Sequence, residues 1–355
     1  MARIRRVDCS GPGIRRRRRG RSFSYEAPTG EPIGDPEELA RIRALGIPPA
    51  WNDVWICPIP TGHLQAVGTD AAGRRQYLYH QAWRTRRDQA KFDHMLGFAH
   101  ALPGLRERAA EHLAQEGLTR ERVLACATRL LDRGFFRIGS EGYAEQNQTY
   151  GLATIQKRHV RLEDDLIGFD YVSKNGKRRL ASVLDPAVSE VVAQLKRRRG
   201  GGPDLLAYKR GRVWADVRSD DINAYLKEQT GGDFTAKDFR TWNATVLAAV
   251  ALASSFPQAR SRTARVGAVS RAVKEVAHYL GNTPAVCRAS YIDPRLFDRY
   301  RSGLTIAGAL EQLGQVDEPG EPAHQGPIEE AVLDLIEERH GPAPELDLTI
   351  ARRAG

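Results

Sequence analysis

Two periods organise the apolar positions of this chain. Near the start, "DPEELARIRALGIPPAW" spaces them three and four apart, which predicts a short helix. Asp35 stands where an N-cap belongs, and Gly46 with Pro48 and Pro49 stops the helix. "DVWICPI" and "LQAVGTD" then run apolar or alternate at strand length, and "AAGRRQYLYH" reads as a turn entering a strand. Residues 22 to about 85 therefore predict a small α+β module. From Gln81 the spacing becomes helical, through "QAKFDHMLGFAHALPGLRERAAEHLA" and "RERVLACATRLLDRGFF". A second β island covers 152–184, where "GFDYVSKNGKRRLASV" holds two strand-like runs around Asn-Gly, the strongest short hairpin signal. Helical spacing resumes in "DPAVSEVVAQLKRRRG", "SDDINAYLKEQTG", "TAKDFRTWNATVLAAVALASS" and "AVSRAVKEVAHYL". After about 314, "GQVDEPGEPAHQGP" reads as a linker. The acidic run "IEEAVLDLIEERHG" follows, with an apolar stripe of Ile328, Val332, Leu335 and Ile336. No internal repeat or heptad pattern is present.

Length and charge divide this string of elements. At 355 residues, two domains plus tails are expected. We read 1–21 as a basic disordered arm, 22–88 as a β-rich N-terminal domain, 89–314 as a catalytic domain and 315–355 as an acidic tail. No run approaches the roughly 18 to 20 apolar residues of a membrane span. The arginines at the start precede no apolar block, so no secretory signal is predicted. Cys9, Cys57, Cys126 and Cys287 are scattered without a CxxC pair, which fits a reducing cytosol and argues against zinc or disulfides. The net charge of +10 is uneven. Residues 1–21 carry nine arginines against one aspartate, whereas 316–355 carry ten acidic side chains against three arginines. A basic body with a basic arm points to a polyanion, nucleic acid before others.

The chain has no GxxxxGK[ST] loop, no HExxH and no tight His/Cys cluster. What stands out is cationic side chains in apolar words: Arg137 in "RGFFRIGSE" and Arg240 in "KDFRTWNATVLAAVAL". Such an arginine is either paired with a carboxylate or held ready for an anion. Lys174 and Lys177 flank the hairpin turn. In "GNTPAVCRASYIDP" a tyrosine, Tyr291, follows the helical pattern, nine residues after Asn282. Together these suit one reaction. A phenol attacks a phosphodiester, guanidinium groups hold the non-bridging oxygens, an amide adds a hydrogen bond, and a lysine protonates the leaving oxygen. One ester replaces another, so no ATP is required, and cationic side chains supply the charge a metal would bring.

The order Arg137, Lys174, Arg240, Asn282, Tyr291, with the words "RIRALGIPPAWNDVWICP", "GRRQYLYH", "FFRIGSEGYAEQNQTYGLATIQKRHV", "KDFRTWNAT" and "GNTPAVCRASYIDP", resembles the type IB DNA topoisomerases of the poxvirus and bacterial kind. The resemblance runs from about Arg41 to Tyr300. It implies an α+β chain: a small β-rich N-terminal lobe and a larger, mainly helical catalytic lobe with a β-hairpin island, the catalytic fold shared with tyrosine recombinases. It also implies a monomer clamping double-stranded DNA, cytoplasmic and nucleoid-associated, with no membrane, cofactor or metal. Tyr291 would become linked to the DNA 3′ end, Arg137 and Arg240 would bind the phosphate, and Lys174, in preference to Lys177, would be the general acid. The free 5′ strand would rotate before religation. Poxvirus and eukaryotic members have histidine where this chain has Asn282. Asparagine keeps a donor but cannot become a cation near neutral pH. Arg74, Arg75, Tyr77 and Tyr79 would lie on a strand, the tyrosines on one side, and by similarity read the major groove.

Two other readings compete. Tyrosine recombinases share the lobe and nucleophile but usually carry His-x-x-Arg where this chain has Lys237-Asp-Phe-Arg240. A non-catalytic DNA-packaging protein would explain the charge but not the order of the five residues.

Overall fold

The computed structural model describes residues 3–313 and 325–338. The chain divides into two units, Met1–Phe92 and Asp93–Gly355. In the first, strands β1 (Ile14–Arg19), β2 (Ser22–Glu26), β3 (Asn52–Ile56), β4 (Leu64–Thr69) and β5 (Arg75–Tyr79) form an antiparallel sheet in the order β2-β1-β3-β4-β5. Helix α1 (Pro36–Ala44) starts where Asp35 accepts from the Glu37 and Glu38 amides, and it buries Ile42 with Ile14, Val54, Ile56 and Ala66. Trp55, Cys57, Leu64 and Val67 form a second cluster under Val7, Cys9 and Ile59.

The arginine run corrects the expected disordered arm: residues 14–19 are β1, paired on both sides. The partners decide this. Ile14 and Arg15 pair with Ile56 and Trp55, and Gly20 takes a φ of +59° in the turn to β2. Backbone pairing recruits residues whose side chains show no apolar alternation.

Helix α2 (Gln81–Leu113) begins in the first unit and continues into the second, followed by α3 (Arg120–Gly134) and the short α4 (Glu141–Asn147). The β island is a three-stranded antiparallel sheet, β6 (Val160–Glu163), β7 (Leu166–Ser173) and β8 (Lys177–Leu184). As the Asn-Gly pair predicts, Asn175 and Gly176 turn the chain with φ of +67° and +70°. Helix α5 (Pro186–Arg197) leads to a hairpin not anticipated from sequence, β9 (Ala207–Arg210) with β10 (Val213–Asp216). Then come α6 (Ser219–Thr230), α7 (Ala236–Ser255), α8 (Arg262–Leu280), α9 (Pro284–Ser290), α10 (Pro294–Arg301), α11 (Ala307–Leu313) and α12 (Pro327–Glu337). The core gathers Phe98 and Leu102 of α2, Leu124 and Leu131 of α3, and Phe239 and Trp242 of α7, all buried.

Of the expected acidic tail, 314–324 and 339–355 lie outside the described residues. The described part is no separate tail, because α12 belongs to the second unit and buries Ile328, Val332, Leu333 and Ile336. Leu333 thus replaces the expected Leu335. Buried Glu329 accepts from Arg106 and from Trp242 Nε1, while Arg106 also pairs with Asp132. Among the described residues, no helix is long and apolar enough to cross a membrane.

Candidate active site

Two helix ends converge on Arg240. Helix α3 closes on Phe135, which adopts left-handed φ/ψ of 54° and 29°, and α8 closes on Gly281 at φ +63°. Each end leaves carbonyls without helical partners. Arg240, on α7 and only 4% exposed, donates to both: Nη1 to Phe135 O at 2.6 Å and Nη2 to Leu280 O at 2.9 Å. Its Nε is buried without a partner among the described residues. An arginine in so apolar a setting needs a carboxylate or an anion, and here carbonyls take the carboxylate's place. Helix α7 is itself anchored by Asn243 Nδ2, which donates to Asp132 O at 2.8 Å.

Arg137 follows immediately after the α3 end. Phe136 is buried beside it, edge-on to Phe169 at 4.7 Å. The Arg137 carbonyl accepts from Leu152 N at 2.8 Å, and Gly139 and Gly151 touch backbone to backbone; a Cβ on Gly151 would lie 2.4 Å from Gly139 Cα. Arg137 Nη2 donates to Gly281 O at 3.2 Å and to Asn282 Oδ1. With Oδ1 engaged, the Asn282 amide is left its NH2 to donate.

The stretch "GNTPAVCRASYIDP" folds as a stop, a short helix and a new start. Gly281 ends α8, Thr283 caps α9 through Val286 N, and Asp293 caps α10 through Arg295 N at 2.9 Å. Tyr291 sits at the junction, its amide donating to Cys287 O at 2.9 Å. Buried Thr245 of α7 pins this turn, donating to Tyr291 O at 3.3 Å and accepting from Asp293 N at 3.2 Å. The half-buried phenol lies beside Arg240, whose guanidinium carbon is 5.3 Å from the ring centroid.

The electrostatics follow from this crowding. Burial alone would raise the Tyr291 pKa. The charge of Arg240, hydrogen bonds from Asn282 and Arg240, and the charge of Arg137 outweigh burial and leave it below its ordinary value. Burial, then the nearby Arg137 charge, lowers Arg240 to about 10, so it remains cationic at neutral pH. Burial also lowers Arg137.

Four of the five expected residues are therefore brought together: Arg137, Arg240, Asn282 and Tyr291. Lys174 is not joined to them. It lies exposed in the hairpin turn and makes no hydrogen bond or ion pair among the described residues. Lys177 pairs with Ser173 across the strands, on the same face as Arg179 and Tyr171.

Sequence reasoning missed Arg179. It donates to Tyr279 O at 3.0 Å and to Gly134 O and Phe135 O at 3.3 Å each, bridging β8 to the ends of α3 and α8. The signal was its alternation with Lys177, which puts both on the inner face of the hairpin.

In the first unit, Tyr77 and Tyr79 are exposed at 44% and 43%, with stacked rings 6.2 Å apart. Arg75 shares their face, 5.9 Å from the Tyr77 ring. Arg74 departs from the expected strand. It lies in the β4–β5 turn, and its guanidinium pairs with Asp70 at 2.9 Å. Among the described residues no group of three or more His, Cys, Asp or Glu side chains is placed to hold a metal.

Known proteins match both parts of the chain. Residues 80–307 match the family described as eukaryotic DNA topoisomerase I, catalytic core, and residues 22–70 match the bacterial DNA topoisomerase IB N-terminal domain. The DNA topoisomerase 1B of Acanthamoeba polyphaga mimivirus is 28% identical over 304 residues, covering 82% of this chain and 88% of the relative. DNA topoisomerase 1 of Daucus carota is 30% identical over 130 residues, or 36% of this chain and 15% of the plant protein. DNA topoisomerase 1 alpha of Arabidopsis thaliana is 29% identical over 127 residues, with 35% and 13% covered. The fold and these matches define an enzyme of the DNA topoisomerase class. Within that class, the chain belongs to the type IB family.

Proposed function

We propose that this enzyme relaxes supercoiled duplex DNA through a 3′-phosphotyrosine intermediate. Tyr291 Oη attacks the scissile phosphorus, its proton passing to solvent, and the bond from phosphorus to O5′ breaks. Lys174 delivers a proton to O5′, since an alkoxide leaves poorly without one. The freed strand rotates about the intact one. The 5′ hydroxyl then attacks phosphorus and gives its proton to the lysine, the bond from phosphorus to Tyr291 Oη breaks, and the phenolate regains a proton from solvent. Arg137 and Arg240 hold the non-bridging oxygens, and Asn282 adds a hydrogen bond. The ester count is conserved, so no ATP is consumed. Arg75, Tyr77 and Tyr79 contact the DNA groove. The enzyme acts as a monomer on cytoplasmic, nucleoid DNA.

The convergence of Tyr291 with Arg240, 5.3 Å from its ring, and with Arg137 bound to Asn282 carries this reading. The test is supercoiled plasmid in EDTA without ATP, comparing wild type with Tyr291→Phe. A ladder of relaxed topoisomers from the wild type alone is expected. Relaxation by both proteins would move the nucleophile elsewhere, and relaxation by neither would end the topoisomerase reading of the site. Lys174→Ala, but not Lys177→Ala, should regain its cleavage rate when sulfur replaces O5′, because a thiolate leaves without an acid.

A further inference from the structure

The arginines of β1 repeat in sequence, but the pleat sorts them into two sets. Arg16 and Arg18 share the face of Ile14. Arg16 donates to the carbonyls of Ile47, Pro48 and Trp51 at 3.3, 3.1 and 2.6 Å, and its guanidinium lies 4.2 Å from the Phe23 ring. Arg18 sits 6.0 Å from the same ring. Arg16 is thus used by the fold, whereas Arg18 is exposed on the same face.

Arg15, Arg17 and Arg19 occupy the opposite face, and all three are exposed. Arg15 has no polar partner among the described residues. Arg17 meets Glu26 at 2.8 Å yet stays 61% exposed, and among the described residues the Arg19 side chain reaches only Ser24 Oγ at 3.4 Å. Three like charges about 6.7 Å apart along a strand repel one another, and the single carboxylate opposite them, Glu26, offsets that repulsion only in part. Such a row is suited to a linear polyanion.

The strand register says which one. Arg15 pairs with Trp55, Trp55 with Val67, and Val67 with Tyr77, so one row crosses the sheet on one face from β1 to β5. Three strand spacings separate its ends, about 14 Å. The DNA major groove is about 12 Å wide. A sheet whose β5 tyrosines face the groove thus carries its β1 arginines at the phosphates along the groove edge. The buried Trp55 and Val67, roofed by Val7 and Cys9, fill the middle.

We propose that Arg15, Arg17 and Arg19 form a phosphate-binding edge that grips the backbone of duplex DNA beside the groove met by Tyr77 and Tyr79. The inference rests on the DNA-contact reading of β5. The grip is sequence-independent, and it lies outside both stretches that match known families.

The test is the salt dependence of binding to a short linear duplex, using the full chain. Each lost phosphate contact lowers the slope of log K against log salt by about 0.9. The triple Arg15→Gln, Arg17→Gln, Arg19→Gln variant should lose about 2.7, and Arg15→Gln alone about 0.9, on duplexes of any sequence. Arg18→Gln removes the same charge from the other face and should leave the slope in place. Thermal melts establish that the variants fold, with Arg15→Gln as the minimal change should the triple melt early. An unchanged slope in folded Arg15→Gln or triple variants overturns the proposal, as does an equal loss in Arg18→Gln. Plasmid relaxation by the wild type is scored separately. If the wild type relaxes DNA and the slopes do not move, this inference fails alone. If it does not relax DNA, the topoisomerase reading fails and the slopes still decide the arginine edge.

Discussion

Replacing Glu329 with alanine should destabilise the catalytic unit by about 2 to 4 kcal/mol, from a stranded buried indole donor and the lost charge-assisted bonds to Arg106. Glu329 is 7% exposed and accepts from Arg106 Nη1 at 2.5 Å, Arg106 Nη2 at 3.0 Å, Trp242 Nε1 at 2.7 Å and Gly326 N at 3.1 Å. Arg106 would keep its paired bonds to Asp132 at 2.8 and 2.9 Å, which spares a fully orphaned charge. Burial pulls the Arg106 pKa down, but Asp132 and Glu329 outweigh it and hold it raised, so the guanidinium stays charged in either protein. Trp242 is fully buried, and its indole N–H would have no acceptor, a penalty of about 1 to 3 kcal/mol by itself. The assay is urea unfolding followed by tryptophan fluorescence, with Trp242→Phe and the double variant completing a cycle. Trp242→Phe removes the stranded donor but opens a cavity in either background, so the cycle should show a coupling of about 1 kcal/mol or more, the double variant losing less than the sum of the single ones. A loss under about 1 kcal/mol for Glu329→Ala, or additive single effects, would refute the argument that α12 braces α7 through this network. Arg240 lies two residues before Trp242, so relaxation should slow along with the loss of stability.

Four further outcomes are expected. The Tyr291 pKa lies below the usual 10, so cleavage should accelerate as pH rises through that lowered value. By linkage the ionised phenol stabilises the fold above the unfolded value and loses that contribution as pH falls through the folded one. Arg240→Gln removes the largest lowering influence and should move the Tyr291 titration upward in tyrosine-ring carbon NMR; no upward movement would contradict the assigned cause. Arg179→Gln should slow cleavage of an ordinary ester about 10- to 100-fold by loosening the hairpin that carries Lys174, and much less with sulfur at the leaving position; equal slowing of both substrates would place Arg179 with the phosphate instead. Gly151→Ala forces a Cβ to 2.4 Å from Gly139 Cα and should lower both the melting temperature and activity, and a normally stable variant would show that the loop after Arg137 can shift without cost.

Much of the site was legible because its signals are local. Asn-Gly demanded the hairpin that carries Lys174, and the end of the helical spacing in "AVSRAVKEVAHYL" put Asn282 and Tyr291 just beyond a helix. Residue type and order singled out Arg137 and Arg240 as well. Sequence alone could not say what those arginines touch, since their partners are carbonyls freed at the ends of α3 and α8, and a main-chain carbonyl leaves no mark on residue identity. Arg179 escaped for the same reason. The arginine run of β1 was read as a disordered arm because charge dominates its composition, while the apolar stripe of α12 was legible but its packing partners were not. Tertiary structure decided both, since β1 gains pairing partners on both sides and Glu329 meets Arg106 and Trp242 from distant helices. The sequence by itself determined local conformation and the chemical inventory of this enzyme. Only the folded chain decided which charges are spent on backbone carbonyls and which remain exposed, because that depends on groups far apart in sequence competing for the same few donors.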